Sequence, residues 1–347
     1  MLSRIPNEPG GLPADHVAQV AQRWYPRLAL GTVVVGYVLI VVGGIVRVSG
    51  SGLGCGAHWP DCNGAIVPVF RFETAIEYTH RMVAAAVVVL TFGLIVTGFA
   101  AFRWNRRFVG LPILAFGLVL AQAILGAVTV ALELPPSVVM AHLGTAELYL
   151  ATLIILVVLV HPSQIPVIGR SDRLEGRTRL RWLAAGAAAS VFVLMLSGAY
   201  TATSGAGYAC PEWPLCQGHY VPTGWTVIDV QLLHRWLALI AAVAVAALTV
   251  EALRHRTRSP FTARIAVATA GIMLAQIFVG AANIWFKLAP AVSAVHLAVA
   301  TVIWGLLIMI AAIEHLAPAE TVHTQELSRA SGRSERHILP VDHPIGT

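Results

Sequence analysis

The sequence predicts an all-α integral membrane protein with eight transmembrane helices, arranged as two tandem four-helix bundles that form a parallel repeat. Three observations carry that prediction. The 347 residues are 57% hydrophobic and only 12% charged, with a mean hydropathy of +0.75. A soluble domain carries about twice that share of charge, so this chain cannot cover itself with a polar surface and needs a bilayer as solvent. The apolar residues are gathered into eight long runs. Finally, the chain repeats itself at a fixed offset.

Taken in order, the runs cover about 28–46, 82–102, 108–132, 138–160, 182–200, 236–253, 265–286 and 291–313. Each is near the ~20 residues that cross the hydrocarbon core as a helix. Within that core every backbone group must be satisfied inside its own segment, which favours helices. A barrel would need alternating strands of about 10 residues. Residues 1–27 are polar and contain Pro6, Pro9, Pro13 and Pro26, and are expected to be a cytoplasmic segment with no cleavable signal peptide. The expected divisions are 28–160 for the first half, 161–181 for a cytoplasmic linker, 182–313 for the second half and 314–347 for a disordered cytoplasmic tail.

The net charge of +6 is carried almost wholly by arginine. The arginines sit in short clusters between apolar runs, which points to membrane topology and away from nucleic acid. Arg4, Arg23 and Arg27, then Arg103, Arg106 and Arg107, then Arg170 to Arg181, then Arg254 to Arg264, fall on one side. The other side holds only Arg47, Arg71, Arg81, Arg235 and Lys287. The positive-inside bias therefore predicts cytoplasmic termini and outward loops at 47–81, 133–137, 201–235 and 287–290.

Adding 154 to a residue number finds an identical residue many times. Gly44 pairs with Gly198, Trp59-Pro60 with Trp213-Pro214, Cys62 with Cys216, and Pro68 with Pro222. His80-Arg81 pairs with His234-Arg235, Gln122 with Gln276, Gly126 with Gly280, and His142-Leu143 with His296-Leu297. Each half holds an even number of spans, so the halves share one orientation and are related by an axis along the membrane normal.

Four histidines stand out because they repeat. His80 and His142 lie toward the outer ends of the second and fourth spans, and His234 and His296 toward those of the sixth and eighth. Such parallel helices can meet across a bundle core, where cofactor sites are built from facing side chains. One such histidine alone reads as a helix-end hydrogen-bonding residue. Two equivalent pairs read as axial ligands, one pair for each of two haems. His16, His58, His161, His219, His255, His315, His323, His337 and His343 lie in loops or tails and are expected to be solvated. Arg81 and Arg235, and more weakly Arg47, are candidates to pair with haem propionates, against the plainer reading of arginines reaching to lipid headgroups. Gln122 and Gln276 are expected to bond between helices.

The repeat breaks at one chemically important place. The first half reads Glu77-Tyr78-Thr79-His80 and the second Gln231-Leu232-Leu233-His234. Glu77 and His80 share a helix face at i, i+3. A carboxylate there can move protons, whereas Gln231 cannot, so the first half is expected to do chemistry. The alternative is a helix-start carboxylate favoured by the dipole. Glu147 lies beyond His142 in the fourth span, to line a proton path or to pair with a polar neighbour.

Cys55 and Cys62 lie in the first long outward loop, and Cys210 and Cys216 in the matching one. Their spacings differ from common zinc motifs. Cys55–Cys62 and Cys210–Cys216 are expected to close as disulfides, with a redox-active thiol pair as the alternative, chiefly for the first half.

Over roughly residues 28–313, the tandem halves, the four histidines, Glu77-x-x-His80-Arg81 and the two Cys pairs together resemble the haem A synthase family. The resemblance implies an oxidoreductase that turns a ring methyl group of haem O into a formyl group by successive hydroxylations, giving haem A for terminal oxidases. It implies that His80, His142 and Glu77 hold the substrate haem, while His234 and His296 hold a resident haem b. It further implies a plasma-membrane location, supply of the farnesylated substrate by a haem O synthase, and an electron acceptor whose identity stays open, as does assembly into a homo-oligomer. The competing classes are a di-haem b electron carrier linked to quinone and a haem transporter or chaperone.

Overall fold

The computed structural model describes residues 14–56, 61–69, 71–103, 105–161, 174–257 and 259–316. They form eight helices long and apolar enough to cross a membrane. These are α1 (Ala14–Val48), α2 (Phe72–Phe102), α3 (Arg106–Ala131), α4 (Pro136–Val160), α5 (Leu174–Thr203), α6 (Val227–Arg254), α7 (Pro260–Trp285) and α8 (Pro290–Leu316). The expected tail, 314–347, starts inside α8, which runs on to Leu316; the rest of it, 317–347, and most of the expected linker, 162–173, lie outside the described residues.

The helices outrun the apolar runs, chiefly at α1, α2, α5 and α6. Hydropathy marks only the stretch that suits lipid, whereas hydrogen bonding carries the helix on through polar turns. Thus α1 begins at Ala14 rather than near 28 and continues through Pro26. Gln22 donates to the Ala101 carbonyl at 2.9 Å and the Tyr25 hydroxyl donates to the Phe108 carbonyl, which binds this early stretch to α2 and α3. Helix starts are specified locally. Asn105 accepts from the Arg107 amide at 3.1 Å, Thr226 and Asp229 form a capping box, and Pro136, Pro260 and Pro290 open α4, α7 and α8.

α4 and α8 are the inner pair. Of their most apolar stretches 44% and 39% is buried, against 17% for α3. α4 packs on both α5 and α8, and α1 reaches α8, so the halves meet through these helices. α3 and α7 turn Ile113, Leu120, Ile124, Leu274 and Phe278 outward, as a lipid-facing surface requires. One core is gathered in each half, around Leu94, Leu153 and Leu156 in the first and Val245, Leu248 and Leu307 in the second. Between the halves Glu147, fully buried on α4, accepts from the Thr301 hydroxyl of α8 at 2.8 Å. Glu147 and Thr301 are themselves partners in the repeat, so they meet on its axis. Trp304 Nε1 donates to the Glu147 carbonyl at 3.2 Å on the same seam.

The repeat is visible in backbone detail. The α3–α4 turn places Glu133 and Leu134 at positive φ, and the α7–α8 turn does so with Lys287 and Leu288. Asn63 and Gln217 repeat the same conformation, each beside a glycine of positive φ. The register differs in the leading part of each half. One-turn 3-10 helices at Ser51–Leu53 and Ala206–Tyr208 correspond at an offset of 155, and so do Cys55 and Cys210. One residue is missing between Cys210 and Cys216, which restores 154 afterwards. The sequence match of Gly44 to Gly198 is therefore one residue out, and Gly43 is the structural partner of Gly198.

Candidate functional site

Two sites stand at the same end of the bundle, one in each half. The polar turns that hydropathy left out place His80 in the third turn of α2, and His234 takes the matching position on α6. His142 and His296 lie in the second turn of α4 and α8. His80 and His142 thus share one end of the first half, and His234 and His296 the same end of the second.

Each histidine faces a glycine on a neighbouring helix. A Cβ on Gly43 would lie 3.0 Å from His80 Cε1, and one on Gly198 would lie 3.0 Å from His234 Cε1. For Gly126 against His142 the distance is 3.4 Å, and for Gly280 against His296 it is 3.2 Å. Side chains at these four places would press on the rings. Gln122 Nε2 donates to the His142 carbonyl at 2.7 Å and Gln276 Nε2 to the His296 carbonyl at 2.7 Å. These bonds lock α3 to α4 and α7 to α8 beside the imidazoles, in line with the interhelical role expected from sequence. His80, His142 and His296 are half-buried residues whose Nδ1 atoms are fully shielded and have no hydrogen-bond partner.

Glu77 is buried one turn before His80. Its Oε2 accepts from the Cys55 amide at 2.8 Å, and its Oε1 pairs with Arg81 at 2.6 Å. Arg81 also donates to the Asp61 carbonyl at 2.9 Å. The carboxylate thus ties the disulfide loop to α2. In the second half Gln231 is equally buried, and its Oε1 has no partner. Arg235 instead donates to the carbonyls of Glu212, Pro214 and Leu215 at 2.6–3.0 Å. Both arginines are thus bound to their own loops. Arg47 crosses between the halves to the Ala202 carbonyl at 3.3 Å, with its Nε buried and unpaired.

Cys55–Cys62 and Cys210–Cys216 are both disulfide-bonded. The loops pack alike. Asn63 Nδ2 donates to the Gly54 carbonyl at 3.1 Å, and Gln217 Nε2 to the Ala209 carbonyl at 2.9 Å. His58, Trp59 and Pro60, noted in the sequence, lie outside the described residues. Sequence reasoning missed Gly43 and Ser197. The first is displaced by the register step, and the second has no counterpart to reveal it.

Among the described residues no group of three or more His, Cys, Asp or Glu side chains could hold a metal ion. A pair of imidazoles suits a metal that arrives with its other donors already supplied, as in a porphyrin.

A family model described as cytochrome oxidase assembly protein, COX15-CtaA, matches residues 26–71 and 68–308. The chain is 33% identical over 223 residues to a heme A synthase of Exiguobacterium sibiricum, covering 63% of this chain and 73% of that protein. It is 30% identical over 244 residues to a heme A synthase of Bacillus cereus, covering 69% and 76%. A heme A synthase of Geobacillus kaustophilus is 26% identical over 291 residues, covering 83% and 90%.

Proposed function

The chain belongs to the COX15-CtaA family of cytochrome oxidase assembly proteins, and from that membership we propose that it is a multi-pass membrane oxidoreductase converting haem O to haem A. The substrate methyl group is hydroxylated twice, and the geminal diol loses water to leave the formyl group. The first half, 28–160, takes the substrate haem between His80 and His142. The second half, 182–313, holds a resident haem b between His234 and His296, and that group supplies electron transfer.

One observation carries the division of labour. The halves duplicate histidines, glycines, glutamines and disulfides, but only the first places a carboxylate, Glu77, one turn from a ligand histidine. Glu77 is then the group that accepts a proton as C–H is replaced by C–O. Arg81 and the Cys55 amide hold that carboxylate in place. The glycine that each of the four histidine rings packs against, repeated in both halves, supports an equivalent site at each pair. The arginine distribution supports cytoplasmic termini, with both sites and both disulfides at the outer face of the plasma membrane. The substrate carries a farnesyl tail and is supplied by a haem O synthase. An acceptor outside the chain takes the electrons.

Supplying haem O to membranes that contain the chain, then extracting and weighing the haem, tests this reading. Haem A, with one oxygen gained and two hydrogens lost on the methyl carbon, is the expected product. Haem O recovered unchanged beside a full complement of haem b would identify an electron carrier instead.

A further inference from the structure

Of the four histidines, only His234 has a partner for its inner nitrogen. Ser197 Oγ lies 2.9 Å from His234 Nδ1. The same hydroxyl donates to the Leu194 carbonyl at 2.7 Å, which uses its single proton. In the tautomer that leaves the Nε2 lone pair free for a metal, His234 donates its Nδ1 proton to Ser197 Oγ, while the hydroxyl keeps its own proton on the Leu194 carbonyl. Gly198, next in the chain, closes on the same ring at 3.0 Å from its Cβ position, so the ring is fixed from two sides.

The first half lacks this device. At the α1–α5 offset of 155, defined by Gly43 and Gly198, the residue in the place of Ser197 is Val42. Valine offers no acceptor, and His80 Nδ1 is buried without a partner. The two otherwise matched sites thus differ in how firmly one ligand is held. An acceptor on the far nitrogen orients a ligand histidine and raises its basicity, and removing such a partner typically costs about 10–100-fold in metal affinity.

We infer that Ser197 is a positioning residue that makes the second half a retaining haem site, and that Val42 in its place leaves the first half able to exchange its haem. The inference rests on the proposed function, since an enzyme that converts one haem with the help of another must release the first and keep the second. Ser197 acts through His234 and has no part in the chemistry of the methyl group.

The test uses the full-length chain purified with its haem b, challenged with excess apomyoglobin as haem acceptor. The midpoint potential of the bound haem is measured alongside. Ser197→Ala should release haem b about 10–100-fold faster than wild type and raise the potential, because a weaker donor favours ferric iron less. Ser197→Thr, which keeps the hydroxyl, should restore both values. Val42→Ser should slow haem release from the first half, which keeps the inference testable if Ser197→Ala folds poorly. A wild type holding haem b, with Ser197→Ala matching it in loss rate and potential, would overturn the inference alone. A wild type that binds no haem b would overturn the proposed function, and this inference with it.

Discussion

Glu77 uses both carboxylate oxygens, one on the Cys55 amide and one on Arg81, beside a histidine proposed to bind the substrate haem. Gln is nearly isosteric and keeps an acceptor for the loop amide, but it cannot take a proton or pair with the guanidinium. Glu77→Gln should therefore leave the haem content largely intact while haem A formation falls by ~10²–10⁴-fold. Glu77→Asp should fall between the two. Haem A and the hydroxylated intermediate, measured in membranes carrying each variant, check this, and near-normal haem A from Glu77→Gln would leave Glu77 only its structural role. The break between Glu77 and Gln231 was legible in the sequence because the His-Arg pair just after it is duplicated. The bond to Cys55 was not, since it forms only after the disulfide loop folds back over α2. Ser197 was hidden for a different reason. A single missing residue between Cys210 and Cys216 shifts the register before it, so no fixed offset shows that a serine has replaced a valine.

At the level of helices, the sites depend on close approach. Gly43 on α1 and Gly198 on α5 let those helices lie against the imidazoles of α2 and α6. Gly198→Val should lose haem b and its low-spin spectrum, because a branched side chain would push His234 aside at a cost of about 1–3 kcal/mol. Gly43→Val should keep that spectrum and lose conversion instead. The two spectra, taken on chains matched for membrane insertion, separate these outcomes. The α4–α8 seam makes a second demand. Glu147→Leu removes the acceptor of the buried Thr301 hydroxyl and should cost about 1–3 kcal/mol, read as a lowered melting temperature of the purified protein. Glu147→Gln keeps an acceptor and should cost less. Spans and their order could be read from hydropathy, which responds to the lipid-facing stretch. The ends of α1, α2, α5 and α6 could not, because polar turns continue those helices above and below it. That shortfall matters at α2, where the missed turns carry Glu77 and His80.

Across the whole molecule, the duplicated bundle puts both histidine pairs and both disulfide loops at one end, while Arg179, Arg181, Arg254 and Arg264 lie at the other. Reporter fusions in the 103–107 and 48–76 loops should therefore give opposite readouts, inward for the first and outward for the second. The same readout from both would remove that placement of the sites. The tandem architecture was legible because rare residues recur at one spacing, and the meeting of Glu147 with its own repeat partner Thr301 shows why, since the axis runs between them. Sequence alone could not supply the packing of α4 and α8 as the inner pair, because both are as apolar as the helices that face lipid. The central claim is that one half converts a haem and the other keeps one. Haem content and product measured side by side in His142→Ala and His296→Ala test it most directly. His142→Ala should retain the low-spin haem b and make little haem A, whereas His296→Ala should lose haem b. Loss of haem b from His142→Ala, with His296→Ala still holding it, would contradict the account.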